Sequence, residues 1–208
     1  MMISRTLYFD QVLERALGDA GQVVLMGAGY DTRAYGSLRT EGVVWFELDQ
    51  ESVQGHKRDM LSRAGIDSAA TTFVTVDFSV DDVFEKLAAA GFDPNVKTVF
   101  LWEGVTLYLT EQAVRKTMRD VRTHVPAGSV LLADFYADRM TAVAKSGALS
   151  KTLDYTDEGL GFSLPLTRSH ESTLTTFVES EGLELGESFF MGSTDSKGPF
   201  MVVAEMVA

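Results

Sequence analysis

The segment at residues 22–31 constrains the fold of this chain more than any other feature of the sequence. It reads QVVLMGAGYD, an apolar run that breaks at a Gly-x-Gly turn. A second apolar run, VVWFELD at residues 43–49, follows further along the chain. Two buried strands, one ending at a glycine turn and the next in acidic side chains, are typical of a nucleotide-binding parallel sheet. The sequence therefore predicts that a ligand approaches the backbone of this turn.

The residues around the turn indicate which class of nucleotide fits. A dinucleotide fingerprint needs a third glycine, and Thr32 stands at that position. The carboxylate of Asp31 would repel a pyrophosphate, and Arg33 is the nearby positive charge. These features weaken an NAD or FAD interpretation. They favour a ligand without phosphate, of which S-adenosylmethionine is the common example.

Length and charge limit the domain count and the partners. The chain has 208 residues, 45% of them hydrophobic, which suits one domain with a full core and predicts a single domain over residues 1–208. The formal net charge of -12 predicts no nucleic-acid partner and no membrane association, because both surfaces are anionic. No run approaches the apolar length of a membrane span, and Arg5 and Asp10 interrupt the start of the chain. We therefore predict a cytoplasmic protein.

Thiolate and imidazole metal ligands are sparse in this chain. The chain has no cysteine, which excludes disulfides, thiol nucleophiles and thiolate metal sites. His56, His124 and His170 lie far apart without ligand spacing. They are predicted to be surface residues, and no metal site is expected.

Apolar runs and helical patterns alternate along the chain. Helices are predicted over residues 4–20, from about 32, over 50–64 and 80–90, from a Thr110 cap to about 126, and over 171–180. In the first of them, Ser4 is the predicted N-cap and Gly21 the stop. Strands are predicted over residues 23–26, 43–48, 72–76, 96–102, 129–135, 183–191 and 200–207.

This alternation predicts an α/β fold with a parallel sheet and helices on both faces. The last two strands are joined by GSTDSKGP, which is too short for a crossover helix and predicts an antiparallel hairpin. A seven-stranded, mostly parallel, Rossmann-like sheet with a C-terminal antiparallel hairpin is the class I methyltransferase fold. Residues 136–170 are less regular, so they are a predicted insertion that contacts a substrate.

Several motifs occur in an order that resembles one family. They are SRT, QVVLMGAGYDTRAY, VVWFELDQESV with Lys57 following, FVTVDF, AGFDP and FLWEGVTLYLTEQAV. This series, from Ser4 to about Phe135, resembles the leucine carboxyl methyltransferase family and its bacterial relatives. The resemblance implies an S-adenosylmethionine-dependent enzyme that methylates a carboxyl or hydroxyl oxygen of a small-molecule acceptor.

The resemblance also implies which residues hold the amino acid end of the cofactor. Arg5 would pair with the methionine carboxylate, a task that suits guanidinium geometry. Gly27 and Gly29 would pass beneath the same moiety, and Glu103 would lie near the ammonium. The alternatives are that Arg5 is a plain surface residue and that the glycines mark only a tight turn.

For the nucleoside end, the resemblance implies four residues. Asp49 would accept hydrogen bonds from the ribose hydroxyls, with Glu47 as its rival. Asp77 and Phe78 would hold the adenine by its amine and its ring face. Alternatively, Asp49 is a helix N-cap, Glu47 a solvated residue at a strand end, and Asp77 the cap of the helix near residue 80.

Other functions remain open alternatives. A short-chain NAD-dependent reductase needs Tyr-x-x-x-Lys, which this sequence lacks. A Rossmann-fold binding protein without catalysis is the second alternative. No general base is identified, so the catalytic residues are unknown, and Tyr108 is expected in the core rather than in a substrate pocket.

The main departure from the family lies before the SRT motif. Relatives usually have a helical section there that brings a cofactor-binding lysine, whereas this sequence starts at Met1, three residues before the motif. The resemblance therefore implies either an open pocket or one that a partner subunit closes. A chain without the family's covering helices would expose apolar surface, which makes a homodimer a further prediction.

Overall fold

The computed structural model describes residues 2–146, 159–192 and 197–208. The strands are β1 (Gln22–Met26), β2 (Val44–Asp49), β3 (Thr71–Thr75), β4 (Thr98–Trp102), β5 (Val130–Tyr136), β6 (Glu184–Met191) and β7 (Met201–Val207). The helices are α1 (Met2–Ala16), α2 (Glu51–Arg63), α3 (Val83–Ala89), α4 (Glu111–His124), α5 (Asp138–Ser146) and α6 (His170–Glu179). Short 3₁₀ turns lie at Arg33–Tyr35 and Thr106–Tyr108. None of the helices in the described ranges is long and apolar enough to cross a bilayer.

The strands form one seven-stranded sheet in the order β3-β2-β1-β4-β5-β7-β6. Strands β1 to β5 run parallel, and β7 pairs antiparallel with both β5 and β6. The predicted fold class is therefore confirmed, including the C-terminal antiparallel hairpin. Strand β1 lies between β2 and β4, where the strand order reverses, and ligands of such sheets bind outside the carboxyl ends of the strands at this point.

Both faces of the sheet are buried at its central strands β1 and β4. Successive residues of a strand point to opposite faces, so Trp45 and Phe46 of β2 enter different cores. Phe46 packs in the cluster that contains Trp102, whereas Trp45 packs with Phe9 of α1. Strands such as β1 and β4, which are buried on both faces, need packing partners on both sides of the sheet, because a solvated face would expose their apolar side chains.

Two of the predicted helices differ most from the structure. Helix α1 already includes Met2, so Ser4 lies inside the helix and is not its N-cap. Its regular part ends at Ala16, and hydrogen-bonded turns carry the chain to Ala20 because Gly18 disfavours further helix. The helix predicted from about residue 32 is only the 3₁₀ turn Arg33–Tyr35, where side-chain bonds to Arg33 replace a regular helical ladder.

Helix caps settle one of the alternatives. Thr110 caps α4 as predicted, accepting from Ala113 N–H at 3.2 Å. Asp82 caps α3 by accepting from the backbone N–H groups of Phe84 and Glu85, each at 3.0 Å. Asp77 is therefore not the cap of that helix.

The predicted insertion at residues 136–170 is described at both ends, and residues 147–158 lie outside the described ranges. After α5, the chain returns at residue 159 and forms a parallel bridge between Ala137 and Leu164. Gly161 N–H donates to Leu107 O, and Leu164 N–H to Tyr136 O, each at 2.8 Å. The described end of the insertion thus lies against the carboxyl ends of β4 and β5.

Candidate cofactor site

A cleft of about 430 Å³ opens where β1 ends, at the reversal of strand order. Its floor is the glycine turn, and α1 and the segment after β4 form its walls. Four predicted site residues line it: Arg5, Gly27, Gly29 and Glu103. Tyr30, Asp31 and Arg33 also line the cleft, so the turn predicted from sequence borders a real cavity.

The turn depends on its first glycine. Gly27 has a backbone φ of 68°, in the left-handed region that side-chain-bearing residues rarely adopt. A Cβ at this position would lie 2.5 Å from Val105 Cγ2. Gly29 also has a positive φ, of 44°, but a Cβ there would meet open space. Residue 27 therefore requires glycine both for its positive φ and because Val105 lies so close to it. Residue 29 favours glycine only for its positive φ.

Asp49, at the end of β2, is tied to the glycine turn. Its Oδ2 accepts from Gly29 N–H at 2.6 Å, and its Oδ1 accepts from Gln50 N–H at 2.7 Å. A carboxylate has about four acceptor positions, so both oxygens keep a free lone pair for a hydroxyl donor. Gln50 is the N-cap residue of α2, so Asp49 is not its N-cap.

Glu47 has a different environment from its rival. It is 1% exposed and forms an ion pair with Lys57 at 2.7 Å, although the contact lacks hydrogen-bond geometry. Burial raises the pKa of Glu47, and the Lys57 ammonium opposes that rise. Glu47 is thus not a solvated residue at the end of a strand. Like Asp49, it lies outside the lining of the cleft.

Arg5 and Glu103 meet at the wall of the cleft. Glu103 Oε1 accepts from Arg5 Nε at 3.0 Å and from Thr6 Oγ1 at 2.8 Å. Arg5 is only 8% exposed, so it is not a plain surface residue. Its Nη2 bonds to none of the residues that the structure describes, whereas Nε and Nη1 are both bonded.

Arg33 joins three carboxylates around the same cleft. Its Nε binds Asp10 at 2.6 Å, Nη1 binds Asp31 at 2.5 Å, and Nη2 binds Glu103 at 2.8 Å. Burial lowers the pKa of Arg33, but Asp31 and the other carboxylates outweigh it and raise the pKa. The sequence indicated Arg33 only as the local positive charge, and this role was missed. The signal was its position two residues after Asp31.

Asp134 on β5 was also missed. It is fully buried and accepts from Arg5 Nη1 at 2.9 Å, from Gly104 N–H at 2.9 Å and from Tyr136 OH at 3.1 Å. Arg5 Nη1 donates to Tyr136 OH as well, at 2.6 Å. A carboxylate within the otherwise apolar run VLLADFY was the available sequence signal.

Asp77 and Phe78 follow β3 and do not line the cleft. Asp77 Oδ1 accepts from the N–H and Oγ of Ser79, at 2.9 and 2.5 Å, and these bonds lower the pKa of Asp77. Its Oδ2 has no bonded partner among the described residues. The half-buried ring of Phe78 lies 6.3 Å from that of Trp102, centroid to centroid.

Two predictions about other side chains need correction. His170 is 7% exposed, not a surface residue, because its ring packs edge-on against Phe190 at 4.4 Å. Tyr108 is 39% exposed and therefore not a core residue, since it lies in the 3₁₀ turn after β4. His56 and His124 are exposed as predicted. Within the described ranges, no three His, Asp or Glu residues form a group suited to a metal ion.

The charges of the cleft suit S-adenosylmethionine. Asp10, Asp31 and Glu103 outnumber Arg5 and Arg33, and a surplus of carboxylates favours the cofactor's ammonium and sulfonium cations. The same surplus repels a pyrophosphate.

Comparison with known proteins identifies relatives. A family model described as leucine carboxyl methyltransferase matches residues 1–122. A relative from Mycobacterium avium (strain 104), named as an S-adenosyl-L-methionine-dependent methyltransferase, is 30% identical over 228 residues, covering 93% of this chain and 72% of the relative. One of the same name from Mycolicibacterium smegmatis is 29% identical over 188 residues, covering 88% of this chain and 61% of the relative.

Solved structures share the fold at low sequence identity. An O-methyltransferase family protein from Burkholderia thailandensis aligns with a TM-score of 0.58 at 15% identity, covering 97% of this chain and 55% of that one. Magnesium protoporphyrin IX methyltransferase from Synechocystis PCC 6803, with SAH bound, aligns with a TM-score of 0.59 at 12% identity, covering 99% and 84%. This chain therefore spans about half the length of the Burkholderia protein.

Proposed function

Because this chain belongs to the leucine carboxyl methyltransferase family and is an S-adenosylmethionine-dependent methyltransferase, we propose that it methylates a carboxyl or hydroxyl oxygen of a small molecule. The observation that carries the proposal is the cleft at Gly27. It offers the cofactor a glycine turn that it can approach closely and a surplus of carboxylates for its cationic groups. The family description supports oxygen as the atom that is methylated.

The proposed cofactor site uses the residues predicted from sequence. Arg5 offers Nη2 to the methionine carboxylate, and Glu103 lies near the ammonium, above the turn at Gly27 and Gly29. The close contact of Asp49 with Gly29 supports Asp49 as the ribose ligand. The burial of Glu47 against Lys57 argues against Glu47 in that role.

The adenine completes the proposed site at the end of β3. Asp77 has an unbonded Oδ2 among the described contacts, which suits the exocyclic amine. The half-buried Phe78 offers a ring face for stacking. Both residues lie on the β2 and β3 side of the cleft, since β3 is the neighbour of β2.

Catalysis would depend on positioning. The bound cofactor supplies a methyl group that is already activated for direct displacement. The protein has to hold the acceptor oxygen in line and exclude water, and orientation of this kind contributes on the order of 7 to 11 kcal/mol. A carboxylate acceptor is ionised at neutral pH and needs no general base, whereas a hydroxyl acceptor needs one. We assign no catalytic residue.

We propose that the acceptor contacts the insertion at residues 136–170. Its described end bonds to Leu107 and Tyr136, at the carboxyl ends of β4 and β5, on the side of the sheet where ligands of this fold bind. The partially exposed Tyr108 lies in the same region. A homodimer stays a prediction.

Methyl transfer to a panel of carboxylic acids and phenols tests the function. The purified protein is incubated with S-adenosylmethionine carrying a labelled methyl group, and the label in each acceptor is measured. We expect transfer to at least one oxygen acceptor, and none by a Gly27→Asp variant. Cofactor binding without transfer to any acceptor would support the alternative of a non-catalytic binding protein.

A further inference from the structure

One buried carboxylate serves the cleft without lining it. Asp134 is fully buried on β5, and its partners come from three separate parts of the chain. We define the Asp134 cluster by its members, which are Arg5, Glu103, Gly104, Asp134 and Tyr136. Because an ionised carboxylate is costly to bury, its retention in a core of apolar strands requires compensating partners.

The cluster fixes the orientation of Arg5. Nη1 donates to Asp134 Oδ2 at 2.9 Å and to Tyr136 OH at 2.6 Å, while Nε donates to Glu103 Oε1 at 3.0 Å. The side chain is only 9% exposed, so these bonds act in a medium of low dielectric constant. Nη2 is the remaining donor of a guanidinium that lines the cleft.

The cluster also fixes the segment after β4. Gly104 has a φ of 74°, and its N–H donates to Asp134 Oδ1 at 2.9 Å. Thr106 Oγ1 donates to the main-chain oxygen of Asp134 at 2.5 Å. Both oxygens of one carboxylate therefore connect α1 and the Glu103–Gly104 segment to the same point on β5.

We propose that Asp134 is a positioning residue for the cofactor: its carboxylate holds Arg5 and the Gly104 segment at the wall of the cleft without touching the ligand. This inference rests on the proposed cofactor site. Groups held in advance in their bound arrangement lose less entropy on binding, so loss of the carboxylate weakens cofactor affinity through Arg5.

The cluster makes cofactor affinity depend on pH. Burial raises the pKa of Asp134 to about 6, while Arg5 and the Gly104 N–H oppose the rise and the charge of Glu103 adds to it. Tyr136 is the other titratable group that faces it, and its hydrogen bond also opposes the rise. Below this pKa the carboxyl is protonated and loses its attraction for Arg5. Affinity should therefore fall as the pH drops through about 6.

Calorimetric titration with S-adenosylhomocysteine between about pH 5 and about pH 8 tests the proposal. We expect Asp134→Asn to bind roughly tenfold more weakly than the wild type at neutral pH, a typical size for indirect coupling. Its affinity should also lose the pH dependence near 6. Glu181→Gln is the matched control, because Glu181 is a buried carboxylate that pairs with Arg115 and Arg119.

Tyr136→Phe is a second variant in case Asp134→Asn does not fold. It removes a bond that lowers the pKa of Asp134, so the pH midpoint of binding should move upward. A purely structural residue would leave that midpoint in place. If the wild type binds but neither variant changes affinity or pH dependence, the positioning role is wrong. If the wild type binds at no pH, the proposed function fails instead.

Discussion

Gly27 combines a backbone φ of 68° with a contact that leaves no space for a side chain. We expect Gly27→Asp to abolish S-adenosylhomocysteine binding, because the new side chain would collide with Val105, displace the glycine turn that lines the cleft and add negative charge beside it. Calorimetric titration measures the effect. Gly42→Asp is the matched control. Gly42, which precedes β2, also has a positive φ, of 84°, but a Cβ added there would meet open space. Normal binding by Gly27→Asp would show that the site lies elsewhere.

Asp49 and Glu47 are distinguished by a pair of substitutions. Asp49→Ala should weaken S-adenosylhomocysteine by roughly 1 to 3 kcal/mol, because the ribose loses a charged acceptor and the Gly29 N–H loses its partner. Glu47→Gln should leave the dissociation constant unchanged, since Glu47 faces Lys57. An effect of Glu47→Gln alone would reverse the two assignments.

Sequence could predict those residues of the proposed site that follow a strand. Gly27, Asp49 and Glu103 each come directly after or at the end of a run that is unmistakably buried. The roles of Arg33 and Asp134 could not be predicted in this way. Arg33 meets Glu103 across 70 positions of sequence, and Asp134 meets Arg5 across 129, so only the folded chain shows these pairs.

The junction of β2 with α2 contains the buried pair Glu47 and Lys57. Lys57→Met should lower the free energy of unfolding by about 3 to 5 kcal/mol, because it leaves a buried carboxylate without its cation. The loss should be smaller in acid. Burial raises the pKa of Glu47 in the folded protein, so protonated Glu47 stabilises the folded variant at low pH. The variant loses this stability as the pH rises through that pKa.

Urea unfolding of the wild type and the variant, at a pH below and a pH above the pKa of Glu47, measures this effect. Lys97→Met serves as control, because Lys97 is 42% exposed and its partner Asp19 is 83% exposed. Exposed pairs contribute at most about 1 kcal/mol. An equal loss for both variants would contradict a special role for the buried pair.

The described end of the insertion packs through Gly161. A Cβ there would overlap the backbone oxygen of Leu109, so Gly161→Ala should displace this segment from the carboxyl ends of β4 and β5. Once an acceptor is known, we expect its KM to rise while S-adenosylhomocysteine affinity stays the same. Steady-state kinetics and calorimetry measure the two quantities. A change in cofactor affinity alone would place the segment on the cofactor side.

Elements were predictable where burial dominates. The seven strands were predicted within a few residues. The central strands β1, β4 and β5 were the clearest, because runs buried on both faces have few alternatives in a sheet. The helix expected after residue 32 was wrong for a local reason. Asp31 bonds the backbone and the guanidinium of Arg33, and these contacts hold a 3₁₀ turn in place of a helix.

For the whole molecule, charge and fold lead to the same ligand. The net charge of -12 and the carboxylates of the cleft repel phosphate groups, while the glycine turn lies at the reversal of strand order, where we propose the nucleotide site. Hydropathy and charge could predict this much. The acceptor could not be predicted, because the pocket that we propose for it depends on contacts between the insertion and the carboxyl ends of β4 and β5.

Calorimetric titration of the purified protein with S-adenosylhomocysteine, with NAD in parallel, tests the central claim most directly. We predict saturable binding of S-adenosylhomocysteine with one site per chain and no binding of NAD, because only the latter brings a pyrophosphate to Asp31. Binding of NAD, or of neither ligand, would contradict the cofactor site described for this cleft.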